Sequence, residues 1–300
     1  MESILVTGGA GYIGSHTVLS LLNNGFSPVV LDNLSNSSDE SLKRIEALTG
    51  KNIIFKKGDI CDTDLLNSIF QNHKINCILH FAAFKAVGES VEKPLDYYKN
   101  NVSGLIELLN VSQKHKINKF IFSSSCTVYG EPQKVPLDES HETGNTSSPY
   151  GNTKFLCEQI IQNLSSSKNN FKHCILRYFN PIGADKSGEI GEDPLGIPDN
   201  LLPYICKVAV GSLDSLKIFG NDYPTKDGTA IRDYIHVSDL AEAHVCALKF
   251  LNKQNENLVC NLGTGNGYSV LDIVNTFQQA NSLKIPFSFA PKRKGDVVEA

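Results

Sequence analysis

Several things are missing from these 300 residues, and each absence narrows what the chain does. No two of its eight cysteines stand at Cys-x-x-Cys spacing: Cys61, Cys77, Cys126, Cys157, Cys174, Cys206, Cys246 and Cys260 are dispersed. That argues against a zinc ribbon or a dithiol redox centre and suits free thiols in a reducing compartment. No apolar stretch approaches the roughly 18 residues a membrane span requires. The start Met1-Glu2-Ser3 runs into a glycine loop too soon for a signal peptide, so a cytoplasmic location is expected. There is no basic stripe: the net charge is -4 and the pI near 6.1, so neither nucleic acid nor a membrane surface is an expected partner. Any phosphate must then be met locally, by loops and single arginines. No internal repeat and no low-complexity tract is evident. No metal site is expected, since His236 and His244 lack ligand partners at usable spacing and read as structural.

What is present is a soluble enzyme's composition, 41% hydrophobic and 20% charged, with a length that suits two domains. The first half alternates short apolar runs with stretches of helical spacing, the rhythm of βαβ units around a parallel sheet. Strands are expected near Ile4–Val6, Val29–Leu31, Ile53–Phe55, Cys77–Phe81, Phe120–Ser123 and Cys174–Arg177, and helices near Ile13–Asn23, Asp64–Asn72, Tyr98–His115 and Tyr150–Leu164. The polar stretches Asn33–Ser41 and Ser165–Asn170 read as surface loops. After about residue 178 the rhythm changes. Gly183–Gly196 mixes glycine, charge and proline without period, as a binding loop does. The expectation is an α/β chain: residues 1–178 as a doubly wound parallel sheet that binds a cofactor, and 179–300 as a smaller, partly interleaved α/β substrate domain. The amphipathic helix Val237–Leu251 and the strand Leu258–Leu262 would cross back toward the sheet.

Glycines 8, 11 and 14 follow the first strand and open the first helix, so that backbone N–H groups and the helix dipole face a pyrophosphate. Gly9, Gly11 and Gly14 fit the shorter spacing as well. The alternative is an ordinary tight strand-to-helix turn. Asp32 closes the second strand, where a carboxylate accepts from a ribose hydroxyl and repels a 2′-phosphate, favouring NAD over NADP; otherwise it is a turn aspartate before Asn33. Tyr150 and Lys154, at i and i+4, share one helix face. A tyrosine base near neutral pH needs its pKa lowered by about 3 units, on the order of 4 kcal/mol, which a lysine and a positive nicotinamide ring together supply. The bland reading is a surface aromatic–lysine pair. Ser123, Ser124 and Ser125 end a strand at the carboxyl edge of the sheet, where a hydroxyl reaches a reacting alcohol, or where serines simply terminate a strand. Arg232 and Arg293 suit diphosphate oxygens or are solvated surface arginines.

On the runs Thr7–His16, His80–Ser90, Ser123–Gly130, Tyr150–Lys154, Arg177–Pro181 and Arg232–His236, the chain resembles the nucleotide-sugar epimerases of the extended short-chain dehydrogenase/reductase family over essentially its full length. The resemblance implies a Rossmann-type fold and tightly held NAD. It puts the cofactor against Gly8, Gly11, Tyr12, Ile13, Gly14, Asp32, Asn33, Asn36, Ser37, Asp59, Ile60, Phe81, Ala82, Ala83, Lys85, Asn100, Ser123, Tyr150, Lys154 and Tyr178. It puts the UDP-sugar against Lys85, Ser125, Tyr150, Phe179, Asn180, Asn200, Leu201, Phe219, Arg232, Arg293, Asp296 and Ala300, with both arginines on the diphosphate. Tyr150, Lys154 and Ser125 are the implied catalytic residues of a reversible 4-epimerisation of UDP-galactose and UDP-glucose through a 4-keto sugar, in galactose metabolism.

Two departures from the family pattern stand out. The family typically runs some forty residues further, so a C-terminal piece is expected to be missing. Ala300 falls where bacterial relatives carry a bulky tyrosine associated with a narrow sugar preference, which implies room for N-acetylated UDP-sugars. A 4,6-dehydratase is the nearest alternative, disfavoured because Cys126 and Thr127 stand where dehydratases have an Asp-Glu pair. An NAD-sensing regulator without turnover would not need Tyr150 and Lys154. The family's habit is a homodimer built through helices of the first domain.

Overall fold

The first strand, β1 (Ser3–Thr7), sends Ile4 and Val6 to one face and Leu5 to the other, and all three are fully buried. Burial on both faces requires helices above and below, the condition of a central parallel strand. The structure is a computed structural model that describes residues 2–300 apart from Gln133, Asn169 and Lys294. Further strands are β2 (Ser27–Asp32), β3 (Ile54–Lys57), β4 (Ile75–His80), β5 (Lys119–Ser125), β6 (Lys172–Tyr178), β7 (Asn180–Ile182), β8 (Leu216–Phe219), β9 (Ile231–His236), β10 (Leu258–Leu262), β11 (Gly267–Ser269) and β12 (Phe287–Ala290). Seven of them form one parallel sheet in the order β3-β2-β1-β4-β5-β6-β10. The strand order reverses between β1 and β4, and the crevice at that switch point is where a doubly wound sheet binds ligands.

Helices α1 (Tyr12–Asn23), α2 (Glu40–Thr49), α3 (Thr63–Asn72), α4 (Val87–Glu92), α5 (Pro94–Tyr97), α6 (Gly104–Lys114), α7 (Pro149–Ser167), α8 (Leu201–Ala209), α9 (Val237–Gln254) and α10 (Val270–Asn281) complete the chain. Val18 and Leu21 of α1 and Leu240, Val245 and Leu248 of α9 cover the face that carries Ile4 and Val6. Leu66 and Ile69 of α3, Leu105 and Leu108 of α6 and Ile161 of α7 cover the face that carries Leu5. Burying each such side chain contributes about 1.5–3 kcal/mol.

All six strands expected in the first half are present, as are α9 and β10. Because α9 packs on α1 and β10 pairs with β6, residues 237–262 belong to the large layer. The smaller unit is built from the sheet β11-β9-β7, the pair β12-β8 and a core of Ile205, Val208, Leu216, Ile218, Val274 and Ile285.

Three local expectations need correction. Ser41 lies inside α2, a helix that the polar reading passed over because only Leu42 and Ile45 are apolar and inward. Ser165, Ser166 and Ser167 lie inside α7, where their hydroxyls find carbonyl acceptors: Ser165 donates to Phe171 O, Ser166 to Gln162 O and Ser167 to Leu164 O. Asn169 of that stretch lies outside the described residues. The helix expected over Tyr98–His115 begins as a π-turn, Tyr98–Ser103, before α6. Such turns are frequent at functional sites because they re-aim side chains. Here Asn101 is turned inward, with Nδ2 donating to Phe84 O and Thr153 Oγ1 and Oδ1 accepting from Phe84 N, which ties the loop after β4 to α7.

Candidate active site

The loop between β1 and α1 is shaped by contacts that tolerate no side chain. Gly8 has φ +72°, and a Cβ there would stand 2.6 Å from Ala82 N; one on Gly14 would stand 2.2 Å from Gly8 O. Gly11 is the N-cap of α1 and offers no side-chain cap, so the first-turn N–H groups meet no side-chain acceptor at the mouth of the crevice. Asp32, at the end of β2, is 7% exposed, with Oδ2 accepting from Ala10 N at 3.0 Å and Oδ1 from Leu34 N and Ser37 Oγ at 2.9 Å. It therefore braces the glycine loop and the next turn while lining the cavity. A cradle that a Cβ would fill, uncapped N–H groups and a carboxylate at the end of β2 fit an adenine dinucleotide with a free 2′-hydroxyl.

One cavity at the switch point brings together all twenty residues expected at the cofactor. The glycine loop gives Gly8, Gly11, Tyr12, Ile13 and Gly14; the β2 end gives Asp32, Asn33, Asn36 and Ser37; Asp59 and Ile60 follow β3. Phe81, Ala82, Ala83 and Lys85 follow β4, Asn100 comes from the π-turn, and Ser123, Tyr150, Lys154 and Tyr178 close the inner end. Sequence reasoning missed Glu192 and Pro194, which reach the cavity from the Gly183–Gly196 loop. Their only signal was the loop's composition.

The helix that carries the candidate base is fixed at its start and at its middle. Ser148 caps α7 by accepting from Gly151 N at 3.2 Å, with Pro149 in the first turn. Farther along, at Glu158, a buried network clamps it to the sheet. Glu158 accepts from Arg177 Nε at 3.0 Å, from Arg177 Nη2 at 2.7 Å and from Ser124 Oγ, and Arg177 Nη1 donates to Tyr129 OH at 2.9 Å. Ser124 is thus held within the protein. Breaking a buried pair of this kind by removing one partner costs about 3–5 kcal/mol.

Lys154 is 4% exposed, so the pair with Tyr150 is no surface pair. Its Nζ donates to Ser123 O at 2.7 Å and stands 6.0 Å from the Tyr150 ring centre. Burial lowers the ammonium to about 8, against the opposing influence of Cys157 and Glu158. Burial pushes the Tyr150 phenol up to about 12, with the Ser125 side chain pulling the other way. Reaching a pKa near 7 from there takes on the order of 7 kcal/mol. A unit charge 6 Å away at an effective dielectric of about 20 supplies on the order of 3 kcal/mol. On this scale the lysine alone falls short, and a base at neutral pH would need a second cation beside the phenol.

Ser125 Oγ accepts from Thr127 N at 3.2 Å and Thr127 Oγ1 at 3.0 Å, which leaves its own proton to donate. Tyr178 OH pairs with His244 Nε2. Because His244 Nδ1 lies 2.8 Å from the Leu240 carbonyl it must donate there, so neutral Nε2 accepts the Tyr178 proton. Burial lowers His244 to about 4, which keeps that arrangement neutral. His236 caps α9 by accepting from Ser238 N at 3.2 Å; both histidines serve the structure.

Most of the residues expected at the substrate lie elsewhere. Lys85 and Tyr150 line the cofactor cavity. Asn180 is in β7, Asn200 and Leu201 begin α8, and Phe219 ends β8 with the Arg293 guanidinium 4.2 Å above its ring. Arg232 projects from β9 and is bound by the protein itself: Nη2 donates to Asp296 Oδ1 at 2.5 Å and Val297 O at 2.9 Å. Phe179 and Ala300 line a second cavity of about 290 Å³, with Leu137, Asp233 and Asn261. Among the described residues no cluster of His, Cys, Asp and Glu is arranged to hold a metal, and no helix is long and apolar enough to cross a membrane.

Comparison with known proteins gives a consistent result. The sequence profile of the NAD dependent epimerase/dehydratase family matches residues 4–263. The UDP-glucose 4-epimerase of Mus musculus is 52% identical over 99% of this chain and 87% of its own length, and that of Erwinia amylovora is 54% identical over 98% and 88%. The crystal structure of the Bifidobacterium longum UDP-glucose 4-epimerase, in complex with NAD+ and UDP, superposes with a TM-score of 0.97 at 47% identity, covering 99% of this chain and 88% of that one.

Proposed function

The chain belongs to the NAD dependent epimerase/dehydratase family, and from that premise we propose that it interconverts UDP-galactose and UDP-glucose by inverting carbon 4, in galactose metabolism, with NAD held throughout. The observation that carries this reading is a half-buried Tyr150 beside a buried Lys154 on the wall of a cavity whose other end is the Gly8–Gly14 loop and Asp32. The glycine loop takes the pyrophosphate, Asp32 the adenosine ribose, and Lys154 the nicotinamide ribose. NAD held there would supply a reversible acceptor for the hydride of carbon 4, and its positive ring would be the second cation beside the phenol.

Tyr150 removes the proton of the sugar 4-hydroxyl and gives it back after the sugar has turned over. Ser125, with its own proton free, donates to the same oxygen and holds it against the phenol. Arg232 and Arg293 anchor the diphosphate while the ketone reorients, Arg232 exchanging its bond to Asp296 for a phosphate oxygen. Elimination of water in the manner of a 4,6-dehydratase is disfavoured. Burial pushes the Cys126 thiol up to about 11, and Thr127 spends its hydroxyl proton on Ser125, so neither serves as a carboxylate would. A regulator that only senses NAD has no use for such a base.

The test is to incubate purified protein with UDP-galactose, without added cofactor, and follow UDP-glucose. Conversion is expected; none, in protein shown to hold NAD, refutes the reading. A second reading concerns substrate range. Ala300 presents only a methyl group to the cavity beside Phe179, so UDP-GalNAc and UDP-GlcNAc are accepted as well. Strict rejection of the acetamido pair overturns it. The reading includes a cytoplasmic location, which eight free thiols suit, and a homodimer, for which Val91, Leu95 and Ile106 offer exposed apolar surface. Light scattering of the eluting protein decides the latter.

A further inference from the structure

The Gly183–Gly196 segment has neither helix nor strand, yet it is tied down along its whole length. Tyr12 OH donates to Gly183 O at 2.6 Å and Arg44 Nη1 to Glu189 O at 2.9 Å. Leu195 N donates to Asn36 Oδ1 at 3.1 Å, and Lys207 Nζ to Gly196 O at 3.0 Å. Between these anchors the Glu192 side chain turns inward, with 8% exposure. Its Oε1 accepts from Lys85 Nζ at 3.0 Å and from Asn200 Nδ2 at 2.5 Å. Three of the partners, Tyr12, Asn36 and Lys85, are walls of the cofactor cavity, and they come from three separate connections of the sheet. The segment therefore lies as a strap across the cavity mouth.

The proposed chemistry gives Glu192 no task. A carboxylate lining a cavity meant for a pyrophosphate is unfavourable by simple electrostatics unless its charge is engaged, and here Lys85 engages it. We propose that Glu192 is the latch that keeps the cofactor in: NAD leaves only when the strap lifts, and the strap lifts only when the Lys85–Glu192 pair breaks. This rests on the cofactor reading above and extends it. It accounts for a redox carrier that must outlast each turnover, because loss of the carrier while the sugar is a ketone would strand the intermediate. Lys85 is half exposed, so the latch is open to screening by salt.

The experiment loads the protein with fluorescent 1,N6-etheno-NAD+, adds excess NAD+, and follows release at increasing sodium chloride. Wild-type release is slow and quickens with salt. Glu192→Gln keeps the shape and the Asn200 bond but removes the charge; it should release about tenfold faster, with the salt dependence gone. Glu192→Asp, which keeps the charge and shortens the reach, serves if the amide variant does not fold, and should release faster with a weaker salt dependence. Release at the wild-type rate overturns the latch. So does faster release with an unchanged salt dependence, which would mark Glu192 as packing only. A wild-type chain that carries no NAD when purified and takes up no etheno-NAD+ sinks the cofactor reading, and the latch with it, whereas resident NAD that exchanges only in Glu192→Gln supports the latch.

Discussion

The two halves of the cleft are built differently. In the cofactor half, most of the residues that line the cavity sit on the connections after β1, β2, β3 and β4 at one edge of a parallel sheet, and the decisive features are backbone ones: a glycine at φ +72°, another packed on a carbonyl, and an uncapped helix start. In the substrate half, Asn180, Asn200, Phe219, Arg232 and Arg293 come from different elements and are held by side chains: Arg232 by Asp296, Arg293 on Phe219, Asn200 on Glu192. The first half is fixed before any ligand arrives. The second holds its arginines in contacts of their own, which a ligand bound there would have to replace.

Substitutions sharpen this contrast. The largest effect is expected at the point where the halves meet. Tyr150→Phe should lower turnover about 10²–10⁴-fold while NAD remains bound, read from steady-state kinetics beside the cofactor content of the purified variant. Near-normal turnover would remove the base from the account. Next is Gly14→Ala, whose Cβ would meet Gly8 O: about 1–3 kcal/mol of stability and at least tenfold in NAD affinity should be lost. Gly88→Ala, where nothing lies within 4 Å of the added carbon, should lose neither. If the two behave alike in thermal melts and NAD titration, the backbone explanation fails.

In the substrate half the arginines should separate. Arg232→Ala leaves Asp296 and Val297 O without their donor, so the KM for UDP-galactose should rise and about 1–3 kcal/mol of stability should go. Arg293→Ala, exposed and stacked, should raise KM by about tenfold with the melting temperature unchanged. The last effect is in pH and is read in stability alone. His80 and His244, buried in the cofactor half, are lowered to about 3 and about 4. Below about 6.5 the unfolded chain binds protons that the native one refuses, so stability falls with pH, by at most about 1.4 kcal/mol per pH unit for each histidine. Denaturant titrations at pH 7 and pH 5 measure it, and equal stability would contradict the burial.

That same division decided what could be read from sequence. The strands of the large sheet were legible because burial on both faces forces continuous apolar runs, and Gly8, Asp32, Tyr150 and Lys154 because spacing alone fixes their relation to the sheet edge. Helix α2 was not, since only Leu42 and Ile45 mark its inner face. Nor was the start of the π-turn, whose extra residue leaves no pattern in composition. Glu192 was invisible because its role comes from meeting Lys85, 107 residues earlier in the chain, and spacing says nothing of such a contact. The Glu158–Arg177 clamp was hidden for the same reason.

This fold raises the phenol of its own candidate base, and a bound cation is expected to lower it again. Difference absorbance of phenolate, wild type minus Tyr150→Phe, titrated with and without NAD, tests it most directly. A phenol near 12 is expected in the cofactor-free protein, and a value brought down toward neutrality once NAD is bound. A phenol that stays near 12 with the cofactor in place, or that already ionises near 7 without it, would contradict it.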